Sequence, residues 1–420
     1  MADIQPFQSI RYDRNVAGDL AAVITPPYDV ITGDEQKMLH DKSPYNSIRL
    51  EYGYAKSADH EKDNRYTRAA ATLGQWLDQG VLVQDSEKAF YLYEQTYSYK
   101  GADFRRRGIM ATLKLEPYSK SIVLPHEKTH SGPKADRLAL LESCQTQFSP
   151  IFGLTPDPDF LIPGLFDQAR EEDLLVDIAE ESGSRHRLFS LKDEAKQREI
   201  SRYFSPHPVL IADGHHRYET ALYYSGQADL SRSPGSGHIM AVLVGINDPG
   251  LLMLPTHRLL NGIGTESLNS IIDTAQRDFV SEHFSKTEQA SPAGLETMLA
   301  EKNRSGPAFA MVTGDNINLL CPGEKADPDQ LALTLLHEKL INPILERLPG
   351  ALGEEKISYS HEAATVIGQV KKGVAEAGFI LDAVPVTEVL ERSRRGLIMP
   401  QKSTYFYPKL PGGLAFYSLR

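Results

Sequence analysis

The stretch IADGHHRYETAL, Ile211 to Leu222, gathers groups suited to holding an anion. An apolar run ends at Ala212, Asp213-Gly214 reads as a tight turn, and a helix begins near His215. The first amides of a helix have no carbonyl behind them and lie at the positive end of its dipole, so a phosphate is stabilised there. Gly214 carries no side chain and lets an anion approach the backbone. Arg217 adds a fork of N–H donors matched to phosphate oxygens, and His215 and His216 donate to phosphate or orient a neighbour. The plainer reading makes Asp213 the N-cap of a helix bearing two half-exposed histidines. Five polar groups at one strand-to-helix corner favour the anion site. Adjacent helical residues diverge by about 100°, so His215 and His216 do not share a metal ion. A Mg²⁺ carried in by a nucleotide is more natural, with Asp213 as an oxygen ligand.

A second cluster is LPHEKTH, Leu124 to His130. His126-Glu127-x-x-His130 matches the zinc-peptidase pattern, in which two histidines on one helical face hold the metal and the glutamate activates its water. The flanks oppose that helix: Pro125 precedes it and Gly132-Pro133 follow, leaving barely two turns. A strand end or loop presenting Glu127 as an isolated carboxylate fits these flanks better. The tail supplies a third cluster, GLIMPQKSTYFYPK, where Lys402, Ser403 and Thr404 form a Pro-bounded loop able to hold phosphate or carboxylate, or simply an exposed turn before an aromatic strand. LPTHRL adds His257 and Arg258 at a strand end, facing the same pocket or capping the strand. No Walker-type or GxGxxG phosphate loop stands where one is needed, and there is no GxSxG elbow, which disfavours the usual nucleotide folds and the α/β-hydrolases.

These clusters must be positioned by a chain of 420 residues, enough for two or three packed units. Hydrophobic residues at 41% and charged residues at 24% exclude a largely disordered chain. A net charge of −11 disfavours nucleic acid as the main partner. Two cysteines, Cys144 and Cys321, suggest neither a disulfide framework nor a thiolate metal site. No signal peptide is visible, and the longest central apolar run, Ile239 to Ile246, is far too short to span a membrane, so a soluble cytoplasmic protein is expected.

Periodicity predicts a helix over 64–79 and a hairpin from 89–99 and 107–116, turning at Lys100-Gly101. It predicts a helix over 136–144, short strands at 151–154 and 186–191, and buried strands at 208–212 and 238–246 around a helix at 215–224. Further on it predicts a hairpin at 307–320 and amphipathic helices over 331–348 and 362–376. The expected architecture is α+β, with mixed sheets and helices in three units: 1–120, 121–261 and 262–420.

QPFQSIRYD, VITPPYDVI, SPYNSIRLE, DNRYTRAAATL, LPHEKT, FSPIFGL, IADGHHRYETAL, LPTHRL and MPQKSTYFYPK together resemble the family known as domain of unknown function 1015, nearly end to end. More distantly, the middle unit is similar to the ParB/sulfiredoxin superfamily, whose Gly-x-His-Arg-type signature at a helix start binds nucleotide phosphates. Here that signature falls on Gly214, His215, His216 and Arg217. The free serine kinases of that superfamily carry a similar Asp-Gly-His-His-Arg stretch and an upstream catalytic glutamate, which would be Glu127. The resemblance implies a small-molecule phosphotransferase, a free L-serine kinase using ATP or ADP with Mg²⁺. Asp213, Gly214, His215, His216 and Arg217 would hold the nucleotide, and Asp213 would meet its Mg²⁺. Glu127 would take the hydroxyl proton, with His216 assisting. His126, Thr129, His257, Arg258, Lys402, Ser403 and Thr404 are the candidate contacts to the amino acid. Two other classes stand beside this one: a nucleotide-binding regulator or adaptor without kinase activity, and the zinc hydrolase on His126 and His130.

Overall fold

A computed structural model describes residues 1–127, 131–229, 231–284, 291–323, 330–347 and 355–420. The chain divides into two compact units. The first holds Met1–Leu252, Leu390–Leu397 and Phe406–Arg420; the second holds Met253–Val389 and Ile398–Tyr405.

The first unit is built on a nine-stranded mixed sheet. Its strands are β1 (Ile4–Gln5), β2 (Phe90–Tyr99), β3 (Ala102–Lys114), β4 (Val123–Leu124), β5 (Ile151–Thr155), β6 (Leu174–Ala179), β7 (Arg185–Leu191), β8 (Val209–Asp213) and β9 (His238–Gly245). They lie in the order β4-β8-β5-β9-β3-β2-β7-β6, with β1 also on β3. The β2–β3 hairpin turns tightly, with Tyr99 opposite Ala102 and positive φ at both Lys100 and Gly101. That is the mirror-image turn whose twist suits a two-residue hairpin. The boundary expected at 120/121 therefore does not separate units, because β2 and β3 continue through β9 into the middle of the chain. A smaller antiparallel sheet orders Leu82–Gln84, Ser9–Tyr12, Phe416–Ser418 and Thr146–Gln147 side by side, so the tail is built into this unit.

Four helices matter for the site: α1 (Arg65–Asp78), α2 (Ser131–Cys144), α3 (Glu194–Phe204) and α4 (His215–Ser225). α4 follows β8 with only Gly214 between, at φ +93 in the left-handed region that a residue with a Cβ resists. The helix is held down by Tyr218, which is fully buried and stacks on Tyr118. The Tyr218 hydroxyl donates to the Glu116 carbonyl at 2.8 Å and accepts from the Glu116 amide at 3.0 Å. Around it, Val209, Ile211, Ile239, Ala241 and Leu243 form a continuous apolar core.

In the second unit a six-stranded antiparallel sheet runs Phe279–Phe284, Asn316–Pro322, Phe309–Thr313, Ala377–Ile380, His257–Leu260, Ile357–Ser360. Alternate residues feed opposite faces: Phe309 and Met311 join one core cluster, Ala310 and Val312 the other. The helix expected over 331–348 is broken into Ala332–Leu336, a wider π-type turn at His337–Ile341, and Asn342–Leu345. Pro343 has no N–H to return to the preceding turn, which accounts for the irregularity. The helix expected to reach 376 stops at Lys371, before Gly373 with φ +70. Among the described residues, no helix is long and apolar enough to cross a membrane.

Tyr218→Phe should lower the unfolding free energy by about 1 kcal/mol, because it removes the partner of two part-buried backbone groups of Glu116 without disturbing the ring packing. Urea denaturation measures it. Unchanged stability would show that the hydroxyl does not anchor the helix.

Candidate functional site

Strand pairing explains why two distant motifs meet. β4 runs parallel to β8, with Val123 opposite Val209 and Leu124 opposite Leu210. The residues that follow both strands therefore emerge at the same edge, Pro125-His126-Glu127 beside Asp213-Gly214-His215. Crevices at the carboxyl ends of parallel strands are where α/β sheets gather their ligands.

Two histidines lock this edge. His126 is buried, and its Nδ1 donates to the Ile211 carbonyl at 2.8 Å, which leaves that ring turned into the protein. The His126 amide lies 3.5 Å from His215 Nε2, and the two rings meet edge to face at 4.6 Å. His215 Nε2 must accept that amide proton, so the ring proton sits on Nδ1, which faces Glu127 Oε1 at 3.7 Å. Burial lowers the pKa of His215 well below the ordinary histidine value, and the neighbouring His126 lowers it further. Burial also lowers those of His126 and His216. The edge thus carries neutral imidazoles at neutral pH. Glu127 remains about a quarter exposed at its side chain, and Gly214 and His216 are partly exposed beside it.

Asp213 does not cap α4; the N-cap is Gly214. The Asp213 carboxylate instead bridges two cations. Oδ2 accepts from Arg217 Nη2 at 2.9 Å, and Oδ1 pairs with Lys409 Nζ. Burial opposes ionisation of this group, but Lys409 and Arg217 overcome it and hold the carboxyl at about 2. Because both oxygens already carry cations, Asp213 does not fit the expected role of Mg²⁺ ligand.

Arg217 also departs from expectation. Its guanidinium reaches Ser149 Oγ at 3.1 Å and the Pro150 carbonyl, beneath the turn. A Cβ on Gly214 would stand 3.0 Å from Arg217 Nη2 and 2.9 Å from Ile151 Cγ2. The missing side chain therefore makes room for the arginine below, not only for an anion above. Behind Ser149 the network continues. Ser149 Oγ donates to Glu51 Oε1 at 3.0 Å, and Glu51 pairs with Arg137 at 3.2 Å. Arg137 lies over the Tyr28 ring at 3.9 Å and binds Asp136, which also takes Arg65 and the Tyr66 hydroxyl. Lys134 pairs with Glu219 on the first turns of α4.

His126 and Glu127 follow a strand and precede α2, whereas the zinc pattern needs them on a helix, so the zinc-hydrolase reading is corrected here. Thr129 and His130 lie outside the described residues. His257 and Arg258 belong to the second unit and are fully buried. His257 Nδ1 accepts from the Leu381 amide at 3.1 Å. Arg258 donates to the carbonyls of Thr256, Gln401 and Lys402. Its guanidinium secures the loop of Lys402, Ser403 and Thr404, which corrects the reading of Arg258 as a ligand for a substrate carboxylate. Within that loop Ser403 is buried and donates to the Pro400 carbonyl, while Lys402 is exposed.

Lys409, Ser149, Glu51 and Arg137 escaped the sequence reading. Lys409, Ser149 and Glu51 sit in stretches quoted above and Arg137 lies outside them, and no local spacing links Lys409 to Asp213 across 196 residues.

The neutral histidines make stability fall on the acid side. Below an unfolded pKa near 6.5 the unfolded chain binds more protons than the folded one, so each such group removes about 1.4 kcal/mol per pH unit until its folded pKa is reached. Urea denaturation between pH 7.5 and 5.5 should show this decline, and His215→Gln should flatten it by about one proton. An unaltered slope would mean that folded His215 is protonated.

A search of curated proteins finds no match. Among solved structures, the chain is similar to a conserved hypothetical protein from Pyrococcus furiosus at 16% identity and TM-score 0.37, covering 73% of this chain and 93% of that one. It is similar to a free serine kinase in complex with AMP at 16% identity and TM-score 0.37, over 71% of this chain and 86% of that one. A variant of a free serine kinase in complex with ADP gives 15% and 0.38, over 71% and 87%. The model of a family described as a protein of unknown function, DUF1015, matches residues 4–349, and the chain belongs to that family.

Proposed function

We propose that the protein is a nucleotide-dependent phosphotransferase whose acceptor is the hydroxyl of a small amino acid, with free L-serine as the acceptor implied by the sequence resemblance. One observation carries the reading: Glu127 stands 3.7 Å from a neutral, buried His215 at the very start of α4. On this reading Glu127 is a carboxylate base beside first-turn amides suited to a phosphate chain.

The chemistry follows from the parts. ATP or ADP lays its phosphates along the amides of His215, His216 and Arg217. The acceptor hydroxyl points at Glu127, which takes its proton as the oxygen attacks the terminal phosphorus. The new O–P bond forms while the bridging P–O bond breaks, and the nucleotide leaves with that electron pair. His215 turns its Nδ1–H toward Glu127 at 3.7 Å, and its neutral state keeps it from neutralising the base as a full ion pair. Most of the acceleration in such transfers comes from alignment and charge stabilisation, with about 10²–10⁴-fold from the base. No step here runs through a metal on Asp213.

Mixing the protein with ATP or ADP and L-serine should yield O-phosphoserine, read by ³¹P NMR or mass spectrometry. Glu127→Gln should lose about 10²–10⁴-fold in turnover while the nucleotide Kd changes less than about threefold. Full activity in that variant would remove Glu127 from the reaction. Nucleotide binding by the wild type without any transfer would instead favour the regulator.

A further inference from the structure

We propose that Lys409, not Arg217, is the cation that meets the anionic phosphate in this site, and that Asp213 holds it in reserve. The inference rests on the phosphotransferase reading and assigns the charge that reading needs.

The two cations on Asp213 are not equivalent. Arg217 is a strut: besides Asp213 it bonds Ser149 and the Pro150 carbonyl, and it is packed where a Gly214 Cβ would be. Pulling it outward would break three contacts and leave a void beneath the turn. Lys409 enters from another element altogether, the segment that follows Tyr405–Tyr407. Its charge acts on both His126 and His215, the second of which faces Glu127. An ammonium on a flexible four-carbon stem can turn from one acceptor to another, whereas a planar guanidinium set in a fitted niche cannot.

The protein also fixes where Lys409 starts. Arg106, fully buried, donates to the carbonyls of Tyr407 at 3.3 Å and Pro408 at 2.7 Å, the two residues before it. The Arg106 guanidinium is itself backed by the Phe152 ring at 4.7 Å and by Gln95. A buried arginine with two donors spent on consecutive carbonyls places the next side chain with little freedom. The side chain so placed is a lysine at the phosphate corner. The role of Asp213 follows. It keeps a lysine that is only 16% exposed paired and correctly aimed until a phosphate competes for it.

Isothermal titration with tripolyphosphate and with ADP tests the assignment. Lys409→Met should weaken tripolyphosphate binding at least tenfold and shrink its salt dependence, while Lys409→Arg should stay within about fivefold. Arg217→Lys should lower the melting temperature yet shift tripolyphosphate affinity less than threefold. Asp213→Asn should tighten binding, and adding Lys409→Met to it should abolish that gain. This double variant leaves no unpaired carboxylate, so it reports on the lysine even where the single variant folds poorly. Equal binding by wild type and Lys409→Met, or a tenfold loss in Arg217→Lys alone, would overturn the assignment while leaving the kinase reading intact. Failure of the wild type to bind either probe would sink both.

Discussion

The carboxylate of Asp213, shared between Arg217 and Lys409, ties the strand-to-helix corner at 213–217 to a segment 196 residues further along the chain. A largely shielded carboxylate that loses one of its cations is destabilised, because the remaining charge is less well compensated. The corner therefore holds its shape only when β8, the first turn of α4 and the segment after residue 405 are all in place. The same logic extends backward through Ser149, Glu51 and Arg137 to Tyr28, Asp136 and Arg65. This polar chain connects the N-terminal stretches with the turn at Gly214. It gives the loop-rich first sixty residues a mechanical purpose, since they brace the underside of the site.

The polar groups divide into two sets. Arg106, Arg137 and Arg217 spend their forks on carbonyls and carboxylates of the chain, which suits a planar, many-donor group that desolvates readily. Glu127, His216 and Lys409 retain partial exposure around the turn. Arginine builds the frame here, and the groups with fewer donors are left nearest the surface of the corner.

Much of this was legible from the residues alone, and for definable reasons. The strands at 151–155, 209–213 and 238–245 and the helix at 215–225 are continuous apolar or periodic runs bounded by Asp-Gly, Gly and Pro, so short-range chemistry decides them. The strand at Val123–Leu124 is two residues long, below any periodicity, and yet it brings Glu127 to the corner. The ion pair between Lys409 and Asp213 is equally hidden, since residues separated by 196 positions have no spacing rule. Arg217 and Arg258 were legible as donors but not as to what they donate to. A guanidinium beside a phosphate and one beside a backbone carbonyl look identical in sequence, and only burial distinguishes them. The division into units was misjudged because a sheet can take its strands from both sides of any point in the chain.

Order along the polypeptide has a consequence for how the molecule is made. Phe406–Arg420 pack into the first unit, with Phe416–Ser418 seated between Ser9–Tyr12 and Thr146–Gln147, although the whole second unit is encoded before them. On the ribosome, the first 252 residues must wait for more than 150 others before their last strand and their lysine emerge. Until then the carboxylate at 213 has only one of its two counter-ions, and an open strand edge at residues 9–12 invites chaperones or a wrong partner. Competence of the corner thus arrives as a late event in biosynthesis, after the second unit has already been translated.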